Sequence, residues 1–376
     1  MVSITQHFDS GNIEVVDASD PMDIRLAIRR DTGSDFLQWF HFRASAPVGA
    51  QCRFRIVNAG QTSYPKGWEG YKVRRSDNLD DWYWVEETAF DGQELVFSFR
   101  FDRPSCWFAY FAPYSYERHL FLMASAQQLP HCGYRSLGQT VQDRDIDLLR
   151  VGEELPGRKK VWLIGRQHPG EPQASWFMEG VLDQLLFNDD ALGHHLLDKA
   201  VFYVVPHMNP DGAVLGNLRS NAAGVNLNRA WAEPSPVDSP EVFHVLAEMD
   251  LVGLDFLLDV HADEELPYVF VSGMEGVPGY AGRLEGLQSA FCQAWLRHSP
   301  DFQTERGYKP DPAGQANLSI ASNQVAHRFG KLALTLEMPF KENANLPNPG
   351  MGWSPNDCMA LGETFLLALD EILDRL

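Results

Sequence analysis

A histidine and a carboxylate stand three residues apart in VWLIGRQHPGEPQASWFMEG, where His168 and Glu171 follow an apolar run and straddle a Pro-Gly turn. Two further groups follow apolar runs elsewhere, His261 after LDFLLDV and Glu337 after KLALTL. Two imidazoles and a carboxylate suit a catalytic zinc ion with one position left for water, and an additional carboxylate can take the proton from that water. The chemistry suggested is metal-assisted hydrolysis. Taken singly, the elements have ordinary readings: a solvated turn for H-x-x-E, and a hydrogen-bonded strand-end histidine for His261. Glu337 is harder to explain that way, because a carboxylate between LALTL and MPF would be desolvated without a partner. His207, after VFYVVP, is a fourth strand-end histidine, and we assign it a supporting or structural role. The stretch HMNPDGAVLGNLRSNAAGVNLNRAW carries Arg219 and Arg229 in a Gly- and Asn-rich loop that is not a regular helix. A guanidinium can hold a carboxylate bidentately or polarise a carbonyl as negative charge develops on it.

These groups need strands to carry them. From about residue 155, KKVWLIG, AVFYVVP, LDFLLDV, YVFVSG and KLALTLEM read as buried strands alternating with helical segments, an α/β organisation. In open α/β sheets sites gather at the carboxyl ends of the strands, where the four groups stand. Ser239-Pro240-Glu241 and Ser354-Pro355-Asn356-Asp357 each offer a cap, a proline at the first helical position and early acidity. Residues up to about 125 differ: CRFRIV, DWYWVEE, LVFSFRF and CWFAYFAPY, separated by turn residues, predict an antiparallel β-sandwich. We therefore divide the chain into a β-sandwich domain, 1–125, and a catalytic domain, 126–376.

Thirty-one basic against fifty-one acidic residues give a formal charge of −20, which disfavours nucleic acid and anionic membranes as partners. No apolar run has the length of a membrane span and the start lacks the pattern of a signal peptide, so a cytoplasmic location is expected. The five scattered cysteines suggest neither a disulfide framework nor a thiolate metal site.

HPGE, MNPDG, GNLR, GVNLNRAW, LLDVHA and LALTLEMPF, in this order, together resemble the zinc metallocarboxypeptidases, and FAYFAPYSY resembles the end of the N-terminal β-domain of their cytosolic branch. The resemblance spans nearly the whole chain. It implies an α/β fold with a mixed eight-stranded sheet flanked by helices, preceded by the β-sandwich. It also implies one zinc ion per chain, held by His168, Glu171 and His261, with Glu337 as general base and Arg219 polarising the scissile carbonyl. Asn228 and Arg229 would hold the terminal carboxylate of a peptide or protein substrate. The family's substrate-contacting tyrosine has no direct counterpart: Ser319 falls near its place, and Tyr308 is the candidate to fill the role. Asn226 replaces an aspartate that orients a zinc-bound histidine, and Ala262 replaces a glycine after the third ligand. The branch's association with terminal glutamate would need a cationic wall, for which Arg283, Arg297, Arg306, Lys309 and Arg328 are candidates, although the family's arginine near GQAN is Asn317 here. Two other functions use similar groups: a zinc amidohydrolase acting on N-acyl amino acids, and a non-catalytic peptide-binding module. The sequence leaves the oligomeric state open.

Overall fold

The computed structural model describes residues 2–188 and 191–376. The chain opens with ten short strands: β1 (Ser3–Thr5), β2 (Glu14–Asp17), β3 (Ile24–Ala27), β4 (His41–Ser45), β5 (Gln51–Ile56), β6 (Arg74–Ser76), β7 (Tyr83–Trp84), β8 (Thr88–Phe90), β9 (Leu95–Arg100) and β10 (Ser105–Ala109). They form two five-stranded sheets, ordered β1-β4-β10-β6-β7 and β2-β3-β5-β9-β8. Alternation decides which face turns inward. In β5, Cys52, Phe54 and Ile56 are buried, while Gln51 and Arg53 are exposed. Phe54 and Phe97 of one sheet meet Phe108 of the other, both at 5.3 Å between ring centroids, so the sheets pack face to face. All pairings are antiparallel except β3 with β5, which run parallel because the chain crosses to the other sheet to form β4 between them.

Helix α1 (Tyr116–Ala126) leads into the second part: β11 (Cys132–Gln139), β12 (Asp145–Val151), β13 (Lys159–Gly165), α2 (Gln173–Leu182), α3 (Ala191–Lys199), β14 (Ala200–Val205), α4 (Pro210–Leu215), α5 (Pro240–Val252), β15 (Phe256–Asp263), β16 (Phe270–Ser272), α6 (Arg283–His298), α7 (Ala321–Phe329), β17 (Leu332–Pro339) and α8 (Pro355–Leu373). Its strands make one mixed sheet in the order β11-β12-β14-β13-β15-β17-β16. Among the described residues the sheet has seven strands, not the expected eight. After β16 the run GMEGVPGYAG, with four glycines and a proline, loops into α6 and adds no further strand. The four central strands, β14, β13, β15 and β17, are parallel, and every residue of β14 and β17 is buried, as continuous apolar runs covered on both faces require. The edge strand β11 and its neighbour β12 carry charged residues among their apolar ones, which blurs their periodicity.

From β13 the chain crosses to β14 on one side and later returns to β15 on the other. A crevice opens at the carboxyl end of β13, where the two connections diverge. Both proposed helix starts hold. Ser354 caps α8 in a reciprocal box with Asp357. Ser239 precedes α5, but its hydroxyl accepts from the Ser235 backbone N–H at 2.9 Å rather than from the helix. All five cysteines are free, and no helix among the described residues is long and apolar enough to cross a membrane.

Helix α2, which carries the chain away from Glu171, packs against α8 through glycines. A Cβ on Gly180 would lie 2.2 Å from the Met359 carbonyl oxygen, and one on Gly362 would lie 2.6 Å from that of Phe177. Gly180→Ala should therefore lower stability by about 2 kcal/mol, the overpacking penalty exceeding the roughly 1 kcal/mol that alanine gains in a helix. Chemical denaturation would measure this, and an unchanged or raised midpoint would contradict so close a contact.

Candidate functional site

His168, Glu171, Arg219, Asn228, Arg229, His261, Tyr308 and Glu337 line one cleft of about 1010 Å³ at the carboxyl end of the central strands. His168 and Glu171 lie on the tight connection between β13 and α2. Arg166 shapes that turn from a left-handed backbone conformation (φ 60°), its Nε donating to the Pro169 carbonyl at 2.7 Å and its Nη1 to Ser175 Oγ at 3.1 Å. His261 and Glu337 lie within β15 and β17 rather than at their ends, because pairing between these strands continues to Asp263 and Pro339. The two residues face each other directly in the register.

His168 Nδ1 is 2.7 Å from Glu171 Oε1, His261 Nδ1 is 2.8 Å from Glu171 Oε2, and the two Nδ1 atoms are 3.1 Å apart. The outer nitrogens have acceptors of their own: His168 Nε2 lies 3.1 Å from Asn226 Oδ1 and His261 Nε2 lies 3.0 Å from Asp259 Oδ2. An imidazole whose Nε2–H is donated outward presents its Nδ1 lone pair inward. Two lone pairs and a carboxylate thus meet at one buried point, with ligand atoms within 4.8 Å of one another, and a divalent cation fits that donor set. Burial and the nearby Arg219 guanidinium push His168 down to about 4, which keeps the ring neutral and able to ligate.

Glu337 is 7% exposed and its Oε2 has no hydrogen-bond partner. Burial drives its carboxyl well above the usual carboxylate range, with the His261 ring opposing and the Glu171 charge reinforcing. A bound cation nearby would offset that desolvation.

Arg219 lies between aromatic faces, 5.7 Å from the ring of Phe36 and 5.6 Å from that of Tyr64. The start of its stretch is ordered beyond expectation: Asn209 caps α4, its Oδ1 accepting from the Gly212 N–H at 3.0 Å, and Gly216 ends the helix at φ 72°. Asn228 has half of its amide committed, since Oδ1 accepts from the Ala321 N–H at 2.8 Å and starts α7, while Nδ2 lies 3.3 Å from His261 Nε2. Arg229 follows it in a short 3₁₀ turn and is exposed at the cleft wall. Tyr308 sits at the rim, its hydroxyl donating to Asp263 Oδ2 at 2.5 Å and its ring edge-on to Phe270. Of the five candidate cations only Arg306 and Lys309 line the cleft. Arg283 donates to the Arg375 carbonyl, Arg297 pairs with Glu371 and Arg328 pairs with Asp250. His207 is not in the cleft and packs edge-on against His119 at 5.4 Å.

Sequence reasoning missed Asp259, Gln167 and Glu264. Asp259 had a signal, since the two-residue period of a strand places it on the same face as His261. Gln167 donates from Nε2 to Asp259 Oδ2 at 2.8 Å and accepts from Trp231 Nε1 at 2.8 Å, a bridge visible only in three dimensions. Glu264 is a third buried carboxylate lining the cleft, after Glu171 and Glu337, with Oε1 unpartnered.

A model of the cytosolic carboxypeptidase N-terminal domain matches residues 4–111, and a zinc carboxypeptidase model matches residues 120–245, a span that includes His168 and Glu171 but stops before His261 and Glu337. The chain is similar to a metallo-carboxypeptidase from Burkholderia cenocepacia, 43% identical with all of both chains covered and a TM-score of 0.97. It is also similar to a metallo-carboxypeptidase from Pseudomonas aeruginosa, solved with (2-guanidinoethylmercapto)succinic acid, 45% identical over 99% of each chain with a TM-score of 0.96. Human cytosolic carboxypeptidase 6 is 31% identical over 292 residues, which make up 71% of this chain and 58% of the human protein.

Removing the outer acceptor of His168 should weaken the metal site without abolishing it. Asn226→Ala is expected to lower zinc affinity about tenfold, as loss of such a partner typically does, whereas His168→Ala should lose stoichiometric zinc altogether. Competition with a chromophoric chelator measures both, and full zinc retention by His168→Ala would show that the ligands are misassigned.

Proposed function

The chain belongs to the zinc carboxypeptidase family, and from that footing we propose that it removes residues from the C-termini of peptides or proteins using one zinc ion per chain held by His168, Glu171 and His261. One observation carries the reading. The three convergent donors lie in the same cleft as the unpartnered Glu337 Oε2 and two arginines on a neighbouring loop. Bound zinc supplies Lewis acidity toward the scissile carbonyl and toward a water molecule.

Glu337 takes the proton of the attacking water and returns it to the departing amine, a task suited to a dry carboxylate. The Arg219 guanidinium stabilises the negative charge that grows on the carbonyl oxygen, and its aromatic surroundings strengthen that attraction by excluding water. Arg229 holds the substrate's terminal carboxylate, with the free side of the Asn228 amide beside it, and this contact limits cleavage to chain ends. Tyr308 closes the rim against the substrate. The match to the cytosolic carboxypeptidase N-terminal domain supports the cytoplasmic location expected from the sequence. An acidic terminal side chain would meet Arg306 and Lys309, but the same walls carry Glu275, Glu285, Glu305 and Asp311, so the pocket is of mixed sign. A decayed binding module has no use for an intact ligand set beside a buried base. The three relatives described above are named as carboxypeptidases, which favours the peptidase over the deacylase reading.

The direct test is mass spectrometry of a peptide library with free and amidated C-termini, incubated with zinc-loaded and chelator-treated protein. Stepwise loss of terminal residues from free ends alone, abolished by chelation, is the expected result and reads out the preferred residue. Cleavage of amidated peptides at equal rates would remove Arg229 from its role. Glu337→Gln should retain zinc and lower kcat by about three orders of magnitude, since an amide cannot accept the proton. Unchanged turnover in zinc-replete Glu337→Gln would sink the mechanism.

A further inference from the structure

A buried carboxylate of the N-terminal region, in the connection between β3 and β4, holds the loop that carries Arg219. Asp31, 4% exposed, accepts three successive backbone N–H groups from the loop that carries Arg219: Leu218 to Oδ1 at 2.6 Å, and Arg219 and Ser220 to Oδ2 at 2.8 and 2.9 Å. Neighbouring contacts tie the same loop to the same region. Asn12 Nδ2 donates to the Gly216 carbonyl at 2.8 Å, the Thr32 N–H donates to Asn217 Oδ1 at 3.0 Å, and Ser34 and Ser220 hydroxyls lie 2.6 Å apart. Gly224 lies against Gly33 so closely that a Cβ on it would stand 2.4 Å from the Gly33 carbonyl oxygen.

The loop needs such a hold. Residues 216–226 belong to no helix and make a single isolated bridge, Ser220 with Asn226. The Arg219 guanidinium rests on the faces of Phe36 and Tyr64, and these rings also come from the N-terminal region. Ring faces attract a cation but give it little direction, so the position of the side chain follows its backbone. Three consecutive N–H groups aimed at one anion form a concavity that fixes that backbone, and charged acceptors hold such donors about twice as strongly as neutral ones.

We propose that Asp31 is a positioning residue for catalysis: through the backbone of residues 218–220 it sets Arg219 where charge develops in the reaction, making the N-terminal sheets a working part of the active site. This rests on Arg219 being the group that polarises the scissile carbonyl.

A double-mutant cycle tests it, using the library peptide with a free C-terminus that is cut fastest. Asp31→Asn, which turns one acceptor into a donor facing N–H groups, should lower kcat about 10- to 100-fold with KM changed less than about threefold, the range expected for a misplaced charge-stabilising group. Zinc stoichiometry and cooperative thermal unfolding should be preserved. In an Arg219→Ala background the same substitution should change kcat by less than about twofold, because the group it positions is gone. An equal loss in both backgrounds would overturn the proposal, since the effect would then be general. If Asp31→Asn does not fold, Phe36→Ala takes its place in the cycle and is read the same way for the N-terminal contribution. Full activity of Arg219→Ala would remove the premise, an outcome distinct from additivity.

Discussion

The ligating atoms of His168, Glu171 and His261 converge at one buried point, and holding them there governs what surrounds them. Two imidazole Nδ1 atoms 3.1 Å apart, each within 2.8 Å of a carboxylate oxygen, form a compact donor set that suits a divalent cation. To keep them in place the protein uses rigid supports. His261 sits in a strand paired on both sides, and the turn that carries His168 and Glu171 is wrapped by the buried Arg166. The outer acceptors Asn226 and Asp259 set the ring orientations. They differ in strength, for Asp259 brings a charge to His261 while Asn226 brings only an amide dipole to His168.

The two halves of the molecule meet through aromatic and polar contacts that bracket the cleft. Tyr110, just after the last strand of the sandwich, stacks on Phe340, just after β17, at 4.5 Å. Buried Arg74 of β6 donates to the carbonyls of Met351 and Trp353, before α8. The strand that carries Glu337 and the helix that packs on α2 are therefore both seated against the N-terminal sheets. A large aromatic share in those sheets, which at first reads only as sandwich core, also supplies the surface on which the catalytic part rests.

The central strands were legible because burial on both faces leaves nearly unbroken apolar runs: KKVWLIG, AVFYVVP and KLALTLEM became β13, β14 and β17. Glu171, Glu337, His168 and His261 were legible because polar groups stand out against such runs. What escaped was whatever depends on partners distant in sequence. Asp31 is an unremarkable aspartate in RRDTGSD until residues 218–220 arrive beside it, and Gln167 gains meaning only between Asp259 and Trp231. Strands β11 and β12 escaped because Arg135, Asp145, Asp147 and Arg150 interrupt their apolar residues, and the eighth strand expected by resemblance is not formed by the glycine-rich run after β16.

The pairing of His261 with Glu337 in the register of β15 and β17 acts as a ruler. Neighbouring strands stand about 4.8 Å apart because backbone hydrogen bonds dictate it, so the separation of these two backbones is fixed by the most conservative dimension in the sheet. Any adjustment between the proposed metal ligand and the proposed base must come from side-chain length alone. An insertion or deletion of one residue in β17 would turn Glu337 to the opposite face of the sheet. The geometry of the reaction is thereby written into the spacing of the polypeptide, and change can enter the cleft through its loops while this pair stays in step.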